Sequence, residues 1–204
     1  MAQVVLVDAG VGNLYSVHKA LEHVGAQVIR TQDPDVVRRG SKLVLPGVGA
    51  FGDFMQGLRE HGLEEAVLET VQRGVPLLGI CVGMQALFQV GYEMGTHPGL
   101  NLLPGKVVRF PEMPGVKIPH TGWNQIWPLR PSPLLKGVPA GAYVYFNHSY
   151  YCEPGAREDV VAETDYGIRY ASVVQRGNAF GVQFHPEKSQ KVGLTILRNF
   201  VEGI

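Results

Sequence analysis

The sequence has few cysteines, no excess charge of either sign and no long apolar run. Its two cysteines, Cys81 and Cys152, exclude a framework of several disulfides and favour a reducing compartment. Lys plus Arg and Asp plus Glu each number 18, so no net field attracts nucleic acid or an anionic membrane. Glycine, proline or charge interrupts every apolar run well short of the roughly 20 residues that a membrane helix requires. We therefore expect a cytoplasmic protein without nucleic-acid or membrane partners.

The composition is that of an ordinary globular chain. Hydrophobic residues make up 45% of the sequence and charged residues 18%, which predicts a chain that folds by itself. A length of 204 residues supports one substantial core, and no repeat or linker marks a boundary, so we predict a single domain over residues 1–204. The apolar run at the start ends at Asp8 and lacks a cationic leader, which predicts a buried strand rather than a signal peptide.

Strands and helices alternate in the first half of the chain. Short apolar runs predict strands at 3–8, 27–31, 42–45 and 75–80. Apolar residues spaced by three and four predict helices at 13–24, 51–72 and 84–90. The polar stretch around Asp33 and Pro34 predicts a turn. This order predicts an α/β fold with an open, mostly parallel central sheet flanked by helices.

The second half is rich in proline, glycine and short β-prone runs. Three of these runs predict strands at 106–110, 143–146 and 171–175. We expect them to extend the sheet with antiparallel strands, followed by a last core strand at 180–184 and a closing helix.

The segment Gly79-Ile80-Cys81-Val82-Gly83 joins a predicted strand directly to a predicted helix. It matches the pattern of a nucleophile on a sharp turn, where flanking glycines remove Cβ atoms that would clash. The start of the helix favours a thiolate at Cys81, and the Val82 N–H would face a developing oxyanion. The alternative interpretation is that Cys81 is a small buried hydrophobic residue.

Two further strand ends carry residues of the kinds that such a nucleophile needs. His185 closes the last predicted strand and precedes Glu187 by two positions, which suits a general base and the acid that orients it. In isolation they would be a capping histidine and a solvated glutamate. Gly47, Val48 and Gly49 follow another strand and can aim backbone N–H groups at an oxyanion, or simply form a tight turn. Active sites of open α/β sheets lie at such strand ends.

These motifs resemble those of the triad-type (class I) glutamine amidotransferases. The resemblance rests on GICVGMQ at 79–85, PGVG at 46–49 and HPE at 185–187. More narrowly, DAGVGNL at 8–14, KIPHTGWN at 117–124 and YFNHSY at 145–150 are similar to the glutaminase subunits of imidazole glycerol phosphate synthases. The likeness runs from end to end of the chain.

The resemblance implies an enzyme that hydrolyses L-glutamine to glutamate and passes ammonia to a TIM-barrel cyclase in a heterodimer for histidine biosynthesis. It implies a triad of Cys81, His185 and Glu187, and an oxyanion hole of Gly47, Val48, Gly49 and Val82. The positions that match the glutamine pocket are Gln85, His148, Ser149 and Tyr150. The positions that match the surface facing the cyclase are Asn13, His120, Trp123, Asn124, Tyr145 and Lys188, of which Lys188 would pair with a carboxylate on the barrel.

Several alternatives stay open at this stage. A glutaminase of another pathway, a cysteine hydrolase of γ-glutamyl bonds and a non-catalytic binding subunit would share parts of the pattern. Trp123 suits an interface anchor or a core position. We interpret Cys152 as structural, and the histidines at 18, 23, 61 and 97 have no metal-ligand spacing, so we expect no metal and no cofactor. Gly10-Val11-Gly12 lacks the third glycine of a nucleotide-binding loop.

Overall fold

The computed structural model describes residues 2–204, which form six α-helices and thirteen β-strands. The helices are α1 (Leu14–His23), α2 (Pro34–Arg38), α3 (Phe51–Glu60), α4 (Leu63–Gln72), α5 (Val82–Gln85) and α6 (Gln190–Gly203). The strands are β1 (Gln3–Val7), β2 (Gln27–Thr31), β3 (Leu43–Gly47), β4 (Leu77–Cys81), β5 (Phe88–Gly91), β6 (His97–Pro98), β7 (Leu103–Arg109), β8 (His120–Pro128), β9 (Ala142–His148), β10 (Tyr150–Pro154), β11 (Val160–Asp165), β12 (Arg169–Arg176) and β13 (Ala179–Val182).

Nine strands form the main sheet in the order β2-β1-β3-β4-β13-β12-β11-β8-β9. The five strands from β2 to β13 in this order pair in parallel, and the remaining strands pair antiparallel. The predicted α/β class, with a parallel part and antiparallel strands added in the second half, is confirmed.

A second sheet of four strands, in the order β10-β7-β5-β6, was not predicted. The run 106–110 falls mostly in β7 and therefore lies in this sheet rather than in the main one. The predicted helix at 84–90 was wrong, because α5 ends at Gln85 and Phe88 begins β5. Phe88 and Val90 pair with β7, so pairing between β-prone segments outweighs the local helical spacing.

Two further boundaries differ from the prediction. The single helix predicted at 51–72 is divided into α3 and α4 at Gly62, which has a φ of +66° that a helix cannot continue through. The predicted turn at Asp33 is the start of α2, where the Asp33 carboxylate accepts a 2.8 Å hydrogen bond from the Asp35 N–H. Pro34 occupies the first helical position, where its missing N–H costs nothing.

The central parallel strands are buried on both faces, and their ends define one edge of the molecule. Every residue of β3 and β4 is buried, as expected for a sheet covered by helices on both sides. The register places Gly47 beside Cys81, and Val182 beside Ile80. His185 follows β13 by three residues, so the strand ends that carry the predicted motifs lie side by side. In residues 2–204 no helix is both long and apolar enough to span a membrane.

Candidate active site

Cys81 lies on a strained turn between β4 and α5. Its φ of 55° and ψ of −112° are unusual for a residue with a side chain. The two flanking glycines are required by close packing. A Cβ on Gly83 would lie 1.8 Å from the carbonyl oxygen of Leu45, and one on Gly79 would lie 2.5 Å from the carbonyl oxygen of Gly83. The turn therefore packs directly against the backbone of β3, which holds the Cys81 sulfur at the sheet edge.

His185 and Glu187 form a buried pair beside the sulfur. The Nδ1–H of His185 donates to Oε1 of Glu187 over 2.9 Å, and both side chains are buried. The ring of His185 also lies beside Cys81 at the same cavity, and the two side chains interact. Burial opposes the charge on the ring, but the hydrogen bonds and negative charges of Cys81 and Glu187 outweigh it and raise the pKa of His185 to about 10. The protonated form of the ring is therefore favoured next to the sulfur.

The backbone of His185 is held by strand β9. Its N–H donates to the carbonyl oxygen of Tyr145 over 2.9 Å. The Ser189 hydroxyl donates to the His185 carbonyl over 2.7 Å and accepts from the Tyr145 N–H over 2.9 Å. The backbones of Tyr145 and His185 are thus joined twice, once by a direct hydrogen bond and once through the hydroxyl of Ser189. Sequence reasoning missed Ser189, since a serine after a turn carries no sign of its partner across the sheet.

The sulfur opens into a cavity of about 430 Å³, here called the catalytic cavity. Its lining includes Cys81, His185 and these predicted residues: Val48, Gly49, Val82, Gln85, His148, Ser149, Tyr150 and Lys188. The structure adds four residues that were not predicted: Ala50, Glu93, Pro119 and Asn147. One carboxylate oxygen of Glu93 accepts a 2.8 Å hydrogen bond from the N–H of Phe51, which anchors a negative charge at the cavity wall. The cavity therefore combines a nucleophile with groups of both charges.

The three residues at 47–49 differ in their steric surroundings and backbone conformation. Gly47 has no room for a side chain, because a Cβ would lie 2.6 Å from the ring of Phe54. Gly49 has open space around it but a φ of +89°, a conformation that favours glycine. Val48 is 39% exposed at the cavity rim. The backbone of this segment is therefore closely packed at Gly47, whereas Gly49 has free space around it.

A hydrogen-bonded row of buried side chains lies behind the cavity. His148 donates from Nδ1 to the carbonyl oxygen of Tyr150 over 2.7 Å, so its Nε2 accepts from the Tyr170 hydroxyl over 3.2 Å. That hydroxyl must then accept from Nδ1 of His120 over 3.1 Å, which leaves Nε2 of His120 to accept from Asn124. The partners thus assign one neutral tautomer to each ring.

Burial keeps both rings neutral. It lowers the pKa of His120 to about 4. Burial also lowers the pKa of His148 to about 3, outweighing the hydrogen bond to Tyr150, while the charges of His120 and His185 lower it further. In the unfolded chain these rings would titrate near 6.5, so unfolding takes up protons between the two values. The contribution of both rings is complete above about pH 6.5 and is lost as the pH falls toward 4 for His120 and toward 3 for His148.

We expect the free energy of unfolding to fall by about 1.4 kcal/mol per pH unit for each ring between about pH 6 and pH 4. Urea unfolding at a series of pH values in this window measures the slope. His148→Gln removes one of the two rings and should reduce the slope by about 1.4 kcal/mol per pH unit. His185 does not interfere, because its raised pKa makes its contribution constant below about pH 6.5. Equal slopes in the wild type and His148→Gln would contradict the assignment.

Three of the residues predicted to face a partner form a surface cluster beside the cavity. Trp123 is 46% exposed and packs edge-on against Tyr145 with ring centroids 6.1 Å apart. Nζ of Lys188 lies 5.9 Å from the centre of the Tyr145 ring. Asn13 stands at the start of α1 without a capping hydrogen bond from its side chain, and it borders a narrow cleft that reaches His185. We call Trp123, Tyr145 and Lys188 the aromatic rim.

The other two residues of the predicted partner surface are a buried histidine and a half-buried asparagine. His120 is buried and stacked on Tyr166, with ring centroids 3.8 Å apart. Asn124 donates to the carbonyl oxygen of Asp165 over 2.8 Å. Side chains alternate along β8, so residues 120 and 124 point away from the face that carries Trp123. Their place on a partner surface stays a prediction, although both side chains are engaged by neighbours within this chain.

The second cysteine is placed away from the cavity lining. Cys152 is buried in β10, and burial together with the charge of Cys81 raises its pKa well above the usual range. It is thus an unreactive thiol. Within the part of the chain that the structure describes, no group of three or more His, Cys, Asp or Glu side chains is arranged to hold a metal ion.

Comparisons with solved structures show the fold. A structure described as a glutamine amidotransferase covers 98% of this chain and 99% of its own, with a TM-score of 0.77 at 21% identity. The structure of PurLQS from Thermotoga maritima covers 100% of this chain and 99% of its own, with a TM-score of 0.75 at 19% identity.

Sequence comparisons extend the likeness to the family. The imidazole glycerol phosphate synthase subunit HisH of Moorella thermoacetica is 50% identical over 202 residues, covering 99% of this chain and 95% of the relative. The protein of the same name from Salinibacter ruber is 52% identical over 200 residues, covering 96% and 92%. The model of the glutamine amidotransferase class-I family matches residues 5–204. This chain therefore belongs to the class-I glutamine amidotransferase family.

Proposed function

We propose that this chain is the glutaminase subunit of an imidazole glycerol phosphate synthase, acting as one glutamine amidotransferase domain in the cytoplasm. The proposal rests on one observation, the contact of the Cys81 sulfur with the buried His185 and Glu187 pair at a cavity of about 430 Å³. It is supported by relatives about 50% identical over nearly their whole length that carry that subunit's name.

The first half of the reaction forms a thioester. The Cys81 thiolate attacks the carbonyl carbon of the glutamine side-chain amide, and the C–N bond breaks. His185 gives the proton that it holds on Nε2 to the departing nitrogen, which leaves as ammonia. Glu187 keeps Nδ1 protonated and the ring in place through the 2.9 Å hydrogen bond. The products are a γ-glutamyl thioester on Cys81 and a neutral imidazole.

The second half returns the enzyme to its starting state. The neutral imidazole of His185 takes a proton from water, whose oxygen attacks the thioester carbonyl. The C–S bond breaks, and glutamate leaves with the Cys81 thiolate and the His185 imidazolium regenerated. One glutamine and one water are thereby converted to one glutamate and one ammonia.

Both tetrahedral intermediates carry negative charge on the former amide oxygen. We assign the Val82 N–H, at the start of α5, and the backbone of residues 47–49 to stabilise it. The positive φ of Gly49 gives that segment the freedom to turn an N–H toward the oxyanion. Glu93 supplies the negative charge that suits the α-ammonium group of glutamine, because its carboxylate is anchored at the cavity wall by the Phe51 N–H.

The ammonia product calls for a partner that covers the cavity. Ammonia released to bulk water is protonated and loses its nucleophilicity, so a subunit that supplies it has to exclude solvent. The aromatic rim lies next to the cavity, since Lys188 also lines it. An exposed tryptophan beside a tyrosine is typical of a binding hot spot. We assign this rim to the TIM-barrel cyclase, with Lys188 available to pair with a carboxylate of the barrel.

Trp123→Ala should weaken binding to the cyclase by at least about tenfold and reduce the stimulation of ammonia release by the same partner. Trp127→Ala is the matched control, since Trp127 is 48% exposed on the same strand but lies beyond the contact with Tyr145. Titration calorimetry gives the affinities, and ammonia release from L-glutamine with and without the cyclase gives the stimulation. Equal effects of the two variants would contradict the assigned surface. If no ammonia were released from L-glutamine both with and without the cyclase, the glutaminase proposal would be overturned.

A further inference from the structure

A row of amide groups connects a backbone carbonyl to the Cys81 sulfur. Nε2 of Gln85 donates to the carbonyl oxygen of Tyr150 over 3.1 Å and to Oε1 of Gln183 over 3.2 Å. Nε2 of Gln183 in turn lies 3.7 Å from Sγ of Cys81. Gln183 is fully buried and directly follows β13, whose last residue Val182 pairs with Ile80, the residue before Cys81. The triad mechanism does not use this side chain.

The partners determine which way each amide faces. A backbone carbonyl can only accept, so the group that Gln85 turns toward Tyr150 must be its NH₂. The same NH₂ has a second hydrogen, which requires an oxygen on Gln183 to receive it. The opposite end of the Gln183 amide, its own NH₂, is therefore the end that faces sulfur. The same Tyr150 carbonyl also accepts from Nδ1 of His148, so one carbonyl oxygen receives a hydrogen bond from each of the two side chains.

We propose that Gln183 is a further catalytic residue, whose side-chain N–H donates a hydrogen bond to Sγ of Cys81 and stabilises the thiolate. The inference rests on the proposed function, in which Cys81 is the nucleophile. A hydrogen bond from a neutral donor to an anion is stronger than one to a neutral acceptor, so this contact favours the thiolate over the thiol. Because Gln183 is preoriented by Gln85, no reorganisation is needed when the thiolate is regenerated at the end of each turnover.

The same hydrogen bonds restrict which atoms of Gln85 can contact a ligand. Both hydrogens of its NH₂ are used, by Tyr150 and Gln183, so only its Oε1 is available at the cavity wall. Gln85 thus accepts a hydrogen bond from glutamine and, at the same time, positions the donor on Gln183.

The test is the pH dependence of alkylation of Cys81 by iodoacetamide, followed by mass spectrometry of the peptide that carries it. Cys152 in the same protein is the internal reference for an unreactive thiol. In Gln183→Met, which keeps the length of the side chain without its donor, we expect the midpoint of the alkylation profile to rise by about one pH unit. The kcat for glutamine hydrolysis should fall about tenfold, with KM within about twofold of the wild-type value.

Gln183→Glu provides a second variant of nearly the same shape, and it decides the question if Gln183→Met fails to fold. Its carboxylate still accepts from Gln85 but places negative charge against the sulfur, so the midpoint should rise further. Gln175→Met, on neighbouring β12, should leave the profile unchanged. Wild-type profiles in both Gln183 variants would overturn the inference, as would a lower melting temperature with unchanged midpoint and kcat. Failure of the wild type to hydrolyse glutamine would overturn the proposed function, whereas the shift in the alkylation profile reports on Gln183 alone.

Discussion

Replacing Cys81 by alanine is expected to lower glutamine hydrolysis by on the order of 10⁴-fold or more, because no other nucleophile can form the thioester. The fold should persist, since Ala fits the space of the buried cysteine and the turn is held by the packing of Gly79 and Gly83. Ammonia release from L-glutamine in the presence of the cyclase measures the loss. Circular dichroism and the melting temperature of the same preparation measure the fold.

Cys152→Ala is the matched control for this experiment. The residue is also a buried cysteine in a strand, but its side chain does not line the catalytic cavity. We expect full glutaminase activity and a small loss of stability, on the order of 1 kcal/mol, from the space left in the core. Ammonia release by Cys81→Ala at more than a few per cent of the wild-type rate would show that the sulfur is not the nucleophile.

The parallel part of the fold could be predicted because the local sequence indicates where each strand ends. Apolar runs that stop at Asp8, Pro46 and Cys81 place their last residues at one edge of a parallel sheet, whatever the exact order of the strands. The register of the structure brings Gly47 and Cys81 side by side in this way. The same logic failed for 84–90, because Phe88 and Val90 pair with residues of β7 that lie 15 and 16 positions further on, and no local pattern indicates that partner.

The residues that support the site were missed for a different reason. The roles of Gln183, Ser189 and Glu93 depend on hydrogen bonds to partners far away in the sequence, and polar side chains of this kind look ordinary in isolation. The buried position of His120 could have been predicted from the sequence. The run from His120 to Ile126 alternates, and the apolar Ile126 shows that even-numbered positions of β8 face the core, whereas Trp123 faces outward.

Gly83→Ala is expected to cost the fold about 4 kcal/mol or more, above the usual ~1–3 kcal/mol for overpacking. The new Cβ would lie 1.8 Å from the Leu45 carbonyl oxygen, and neither atom belongs to a flexible side chain. Relief requires α5 to move away from β3, which shifts Cys81 and the Val82 N–H together. Stability and activity should therefore fall in the same variant, as measured by urea unfolding and by glutaminase activity under conditions where the protein is folded.

Gly203→Ala separates this steric effect from the general effect of removing a glycine. Gly203 lies in the last turn of α6, has a helical φ rather than a positive one, and has no atom within 4 Å of an added Cβ. Its replacement should change the free energy of unfolding by less than about 1 kcal/mol, in the stabilising direction if at all. If Gly83→Ala unfolded at the same urea concentration as the wild type, the turn that carries Cys81 would not be packed against β3 as described. The strained geometry of the nucleophile would then have no structural support, because that contact is what opposes relaxation of the turn.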